Sequence, residues 1–331
     1  MTSLGLGKFA YTKGLHDLGN GAYAWLQPDG GWGWSNAGLI VDGDESLLVD
    51  TLFDVPHTRA MLEAMRGAEP KAAAAIKTLV NTHHNGDHCY GNECCEGAEI
   101  IAHKLAAEAM RHEPPSMLAG FLDMAPELGE LGDYLTKCFG AFDFKNVRQV
   151  LPTLTFEKEM TRQVGAKTVK LMHVGPAHTP GDVLAFVPED KTVFTGDILF
   201  IEGHPIMWEG PVGNWIDACD KIMAMDVETV VPGHGPITDK KGVRAVRDYL
   251  TYVRDEAKKR YDAGLSMFEA AKDIDMSDYS SWGDGERIAV NVATLYREFG
   301  SAEEPDTPTL FGWMAELDKA RKETKGKGMR L

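Results

Sequence analysis
The sequence predicts an α/β protein whose helices pack outside β-sheets, with a helical insertion over about 103–145 and a helical extension beyond about 240. Three observations carry that reading. Short apolar runs punctuated by Gly, Pro, Asn and Asp fill residues 22–81 and return over 151–238, as strands joined by turns do. Stretches with apolar residues at helical spacing follow each round. The composition, 44% hydrophobic and 25% charged over 331 residues, is that of a globular chain able to bury a core of its own.

In chain order, AYAWL (22–26), NAGLIV (36–41) and SLLVD (46–50) are expected strands, with PDGGWGW and DGDE as the turns between them. PHTRAMLEAMRG begins with proline, spaces its apolar residues for one helix face and stops at glycine. IKTLVN (76–81) reads as a buried strand that runs into a histidine cluster. The insertion is rich in Met, Leu and Phe and is broken at Pro114-Pro115; it either covers a site or extends the core. The strand pattern returns in KTVKLMHV, DVLAFVP and TVFTGD, then a helix over GNWIDACDKIMAMD, then the strand TVVPG. From RAVRDYLTYVRDEAKKRYDAG onward the chain is helical, ending in a basic tail, KARKETKGKGMRL, expected to fray. The expected division is therefore a mixed α/β domain over 1–240 and a helical extension over 241–331.

A net charge of −16 and a pI near 5.1 disfavour polyanionic partners, so no nucleic-acid role is expected. No uncharged apolar run is long enough to span a bilayer, and the N-terminus lacks the apolar core of a signal peptide. Five cysteines without C-x-x-C spacing read as free thiols in a reducing compartment, which points to the cytoplasm.

Four segments set metal-competent side chains just after expected strands. They are His83, Asp87 and His88 in THHNGDH, His178 in GPAHTPGD, Asp197 in VFTGDILF, and His234 in VVPGHGP. Imidazole and carboxylate suit zinc, with iron or manganese also compatible, and the lack of paired cysteines argues against a structural zinc knuckle. The surrounding glycines and prolines allow tight turns, so several loops can crowd one point. His16, His57, His103, His112, His173 and His204 lack such a context and read as packed or surface residues; Cys89 reads as a buried structural thiol.

The ordered set THHNGDH, GPAHTPGD, FTGDILF and PGHGP resembles the metallo-β-lactamase-fold hydrolase superfamily over roughly residues 20–240. The glyoxalase II-like and general hydrolase branches are the most similar in motif. The resemblance implies an αββα sandwich with a mono- or dinuclear metal site at one edge. It implies His83, Asp87, His88, His178, Asp197 and His234 as ligands and Asp50 as a support behind them. Asn85 departs from the pattern, standing where the family has a second histidine, and its amide oxygen is a weak ligand at best. His84 is no substitute, because adjacent side chains in a tight loop point apart. One tight zinc and a weak or absent second are therefore expected.

Metal lowers the pKa of bound water, so a metal-activated hydroxide is the expected nucleophile, with Asp87 orienting it or taking part in proton transfer. Trp32, Trp34, Met207 and Trp208, with Met117, Leu118 and Phe121 of the insertion, are the expected walls of a mostly apolar pocket. The function expected is hydrolysis of a small, partly apolar ester, lactone, thioester, lactam or aryl halide. Two other readings stay open: a non-haem iron redox protein on the same fold, and a binding protein with a degraded site. A homodimer through the helical regions is also left open.

Overall fold
The computed structural model describes residues 5–328. A seven-stranded sheet comes first, in sequential order: β1 (Gly14–Gly19), β2 (Ala22–Leu26), β3 (Ala37–Asp42), β4 (Glu45–Val49), β5 (Thr78–Val80), β6 (Glu99–His103) and β7 (Leu154–Phe156). Strands β1 to β4 pair antiparallel, and β4 to β7 parallel. The second sheet has the order β12-β11-β10-β9-β8, formed by β8 (Glu159–Val164), β9 (Lys167–His173), β10 (Val183–Val187), β11 (Thr192–Phe194) and β12 (Thr229–Val231). Only its β11–β12 pair is parallel.

Alternation along the strands builds the layers. In β4, Leu47 and Val49 face the second sheet while Leu48 faces outward. In β10, Val183, Ala185 and Val187 face the first sheet while Leu184 faces outward. The inner faces meet in one core. Helix α1 (Val55–Ala68) covers the first sheet's outer face through Met61, Leu62 and Met65; the Asp54 carboxylate caps it, accepting from His57 N–H at 2.9 Å. Helices α2 (Gly86–Cys89), α3 (Lys104–Met110), α4 (Pro115–Met124) and α5 (Glu130–Phe139) follow in the first half. Helices α6 (Val212–Ala224) and α7 (Lys240–Asp262) lie on the second sheet's outer side; α8 (Met267–Asp273) and α9 (Ile288–Glu298) pack on α7, and α10 (Thr307–Gly328) packs on α9 and α5. This is the αββα sandwich.

The extension is continuous with the rest: Val246, Val290 and Met314 share one apolar cluster with Phe139 of the insertion and with Phe200 and Trp215. Four strands escape the sequence pattern. β1 and β8 are edge strands with polar, part-exposed residues, β6 runs into the expected insertion, and β7 has only three residues. The tail expected to fray instead continues α10 to Gly328, and residues 329–331 lie outside the described residues. No helix among the described residues is long and apolar enough to cross a membrane.

Candidate metal centre
The strands deliver the six candidate ligands to one end of the sandwich. His83 follows β5, and Asp87 and His88 sit on the one-turn helix α2. His178 lies in the loop joining β9 to β10, Asp197 on a short turn after β11, and His234 after β12. Glycine makes the approach feasible: a Cβ on Gly233 would collide with Asp197 Oδ1 and the Gly196 backbone.

The donor atoms converge. His88 Nε2 lies 3.1 Å from Asp197 Oδ1, while His178 Nε2 and His234 Nε2 lie 3.3 and 3.5 Å from Asp197 Oδ2. His83 Nε2 is 3.7 Å from Asp197 Oδ2, and His234 Nε2 is 3.2 Å from Asp87 Oδ2. Two ligands of one tetrahedral zinc, each at about 2.0–2.1 Å, stand about 3.4 Å apart, so these spacings fit shared ions. His83, His88 and Asp197 form one ligand trio, and Asp87, His88 and His234 a second, with His88 common to both.

Each imidazole is held from behind. His88 Nδ1 donates to Asp50 Oδ2 at 2.9 Å, His178 Nδ1 to the Ile206 carbonyl at 2.8 Å, and His234 Nδ1 to the Gly30 carbonyl at 3.0 Å. The Nε2 atoms therefore face inward as ligands do. His83 Nε2, His88 Nε2 and Asp197 Oδ1 are buried with no hydrogen-bond partner, an arrangement that a cation satisfies. Burial and the neighbouring His88 hold His83 well below the usual histidine range. Burial alone would lower His234, yet Asp197 and Asp87 outweigh it and raise it to about 9. Burial would raise Asp197, yet His234, His88 and His83 hold it well below the usual carboxylate range. In the metal-free protein, protons thus balance the carboxylates that a dication would otherwise balance.

Asn85 is built into this geometry. Burial lowers His178 to about 4, so at neutral pH its single N–H is the one given to Ile206. Its Nε2 then presents a lone pair, and Asn85 Oδ1 stands 2.8 Å away. Two facing acceptors repel unless a cation lies between them or the amide turns to offer Nδ2. His84 points elsewhere, its Nε2 3.1 Å from Glu113 Oε1. Cys89 is also turned away, donating to the His84 carbonyl at 3.2 Å, with its thiol pKa pushed up by burial. None of the other six histidines joins the donor cluster: His103 and His173 stack on each other at 3.7 Å, and His204 lies between Tyr249 and Tyr279.

Above the ligands opens a cavity of about 470 Å³. Trp32 and Trp208 line it, as do Met117, Leu118 and Phe121 of α4. Trp34 and Met207 do not line it. Trp34 packs on Phe142 and His57, with ring centroids at 4.7 and 5.4 Å, because the glycine loop turns successive tryptophans to different sides. Met207 is fully buried and tied to α9, its N–H donating to Asn291 Oδ1 at 2.8 Å. Sequence reasoning missed Phe139, Arg287 and Phe311 of the cavity wall. They carry no motif, and only the packing of α5, α9 and α10 brings them here.

A sequence model of the metallo-beta-lactamase superfamily matches residues 30–234, more than half of the chain. The chain therefore belongs to that superfamily. It is 22% identical over 273 residues to a linear primary-alkylsulfatase of Pseudomonas sp., an alignment covering 71% of this chain and 49% of that protein. It is 26% identical over 199 residues to a hydroxyacylglutathione hydrolase of Brucella ovis, covering 59% and 60% respectively. A solved stereoselective inverting sec-alkylsulfatase from Pseudomonas sp. superposes with a TM-score of 0.67 at 18% identity, over 90% of this chain and 52% of that one. The chain thus spans about half the length of the alkylsulfatases it matches.

Proposed function
We propose that this protein is a metal-dependent hydrolase of a small, partly apolar molecule. The observation that carries the reading is the convergence of partnerless imidazole nitrogens and a carboxylate at the floor of an aromatic cavity. Asp87, His88, His234 and Asp197 would hold one divalent ion tightly, zinc being the best match to the donor set. His83, His178 and Asp197 would hold a second more weakly, with Asn85 Oδ1 in place of an imidazole. A bound ion supplies a water-derived nucleophile at neutral pH and polarises the bond under attack.

The chain's own groups do the rest. Asp87 Oδ2, on the cavity floor and 3.2 Å from His234 Nε2, orients the attacking water and accepts its proton. Trp32, Trp208 and Phe311 exclude bulk water and hold the apolar part of the substrate. Esters, lactones, thioesters, lactams and aryl halides remain in scope, and the alkylsulfatase relatives add sulfate esters. The test is a panel of these compounds with metal-replete protein, alongside metal analysis of protein purified without added zinc. Turnover of one class, abolished in Asp87→Ala, with one tight equivalent per chain, is expected. No turnover across the panel, or two equally tight equivalents, would overturn the corresponding part.

A further inference from the structure
The cavity wall carries two polar groups whose donors have no acceptor. Arg287 Nε and Trp32 Nε1 are both buried without a hydrogen-bond partner. They are neighbours: the guanidinium carbon lies 4.6 Å from the indole centroid. Arg287 is 2% exposed, and two contacts fix its fork. One terminal nitrogen donates to the His204 carbonyl at 2.9 Å, and the other lies 3.0 Å from Asp284 Oδ2. Neither contact uses Nε. The guanidinium also lies 5.2 Å from the Phe200 centroid, and Phe200 stacks on His234 at 5.0 Å with 5° between the ring planes. The cation is therefore one aromatic ring away from the metal donors.

Among the described residues that line the cavity, Arg287 is the one Lys or Arg. The acids there already have assignments or partners near the floor: Asp87 and Asp197 belong to the metal centre, and Glu113 pairs with His84. Glu209 is the remaining acid. A net charge of −16 repels anions at long range, so Arg287, paired with Asp284 but with Nε unpartnered beside the unpartnered indole N–H, is a specific local feature. A planar guanidinium is suited to an oxyanion, and an indole N–H adds a directional donor.

We propose that Arg287 and Trp32 form a subsite for an anionic group of the substrate, a carboxylate or sulfate-type oxyanion, set one ring away from the bond cleaved. The apolar remainder lies against Phe121, Trp208 and Phe311. The proposal rests on the cavity being the substrate site of the hydrolase described above.

The test is calorimetric titration of metal-replete protein with octyl sulfate, nonanoate and 1-nonanol, all below their aggregation thresholds. Both anions are expected to bind about tenfold or more tightly than the alcohol. Trp32→Phe keeps an aromatic face and removes the N–H; it should weaken the anions about fivefold more than it weakens the alcohol. Arg287→Lys, which keeps the charge but loses Nε and the fork, should abolish the preference. Should Arg287→Lys not fold by circular dichroism, Trp32→Phe still decides. Equal binding of anion and alcohol by the unsubstituted protein overturns the subsite. An undiminished preference in Trp32→Phe also overturns it, because the anion then makes no use of the indole N–H. Metal content measured on the same samples separates the two claims. A Trp32-dependent preference in protein that holds no metal upholds the subsite and sinks the hydrolase reading, whereas metal-loaded protein without a preference does the reverse.

Discussion
Replacing Asp50 by Asn probes how the metal centre is held. Asp50 is fully buried behind the ligands, with its backbone at φ 63°. Asn tolerates that left-handed conformation, so the substitution leaves the backbone in place. Asp50 Oδ1 accepts from Thr82 N–H at 2.7 Å, and Oδ2 accepts from Thr82 Oγ1 at 2.8 Å and from His88 Nδ1 at 2.9 Å. In the variant the amide oxygen stays on Thr82 N–H, and an NH₂ group replaces Oδ2. It would face the Nδ1–H of His88, so the imidazole must move its proton to Nε2, the nitrogen aimed at the metal. Loss of such an outer partner lowers metal affinity about 10- to 100-fold, or about 1.4–2.7 kcal/mol. Burial pushes the Asp50 pKa up, so removing its charge costs the metal-free fold little, and the metal-free melting temperature should change by less than about 3 °C. Zinc titration against a chromophoric chelator measures the affinity. An Asp50→Asn protein that is folded and binds zinc within about threefold of the unsubstituted one would refute the reasoning.

Other outcomes follow from the same geometry. Asn85→His should raise tightly held metal from one equivalent to two by elemental analysis, and an unchanged count would mean that Asn85 does not limit the first site. Burial, with Arg321 adding to it, holds His204 at about 3, below its ordinary 6.5. Its neutral form is the folded one, so its contribution is full above pH 6.5 and lost as pH falls towards 3, about 2 kcal/mol being gone at pH 5. Urea midpoints at pH 7 and 5 should show that loss, and His204→Gln should remove it; an equal drop in the variant would count against it. Gly38 on β3 meets Phe194 on β11 across the sandwich, where a Cβ would collide with the ring. Gly38→Ala should therefore cost about 1–3 kcal/mol by denaturant titration, and no loss would show that the sheets slide freely.

The α/β class, most of the buried strands and the identity of the candidate ligands were legible in the chain's local patterns. Alternation, glycine turns and metal-competent residues after strands are local signals. His83, Asp87, His88, His178, Asp197 and His234 each carry that signal within a few residues. Edge strands such as β1 and β8 were not legible, because half-exposed strands need no apolar pattern. The cavity wall was decided by tertiary structure alone. Trp32 and Trp34 look alike in PDGGWGW, yet the turn sends one to the cavity and the other to Phe142. Arg287, at the N-terminus of α9, and Phe311 on α10 lie far along the chain from every motif and reach the cavity only because α10 packs against α5 and α9. Periodicity shows which face of a helix is buried, and the physical reason for the gap is that nothing local says against what.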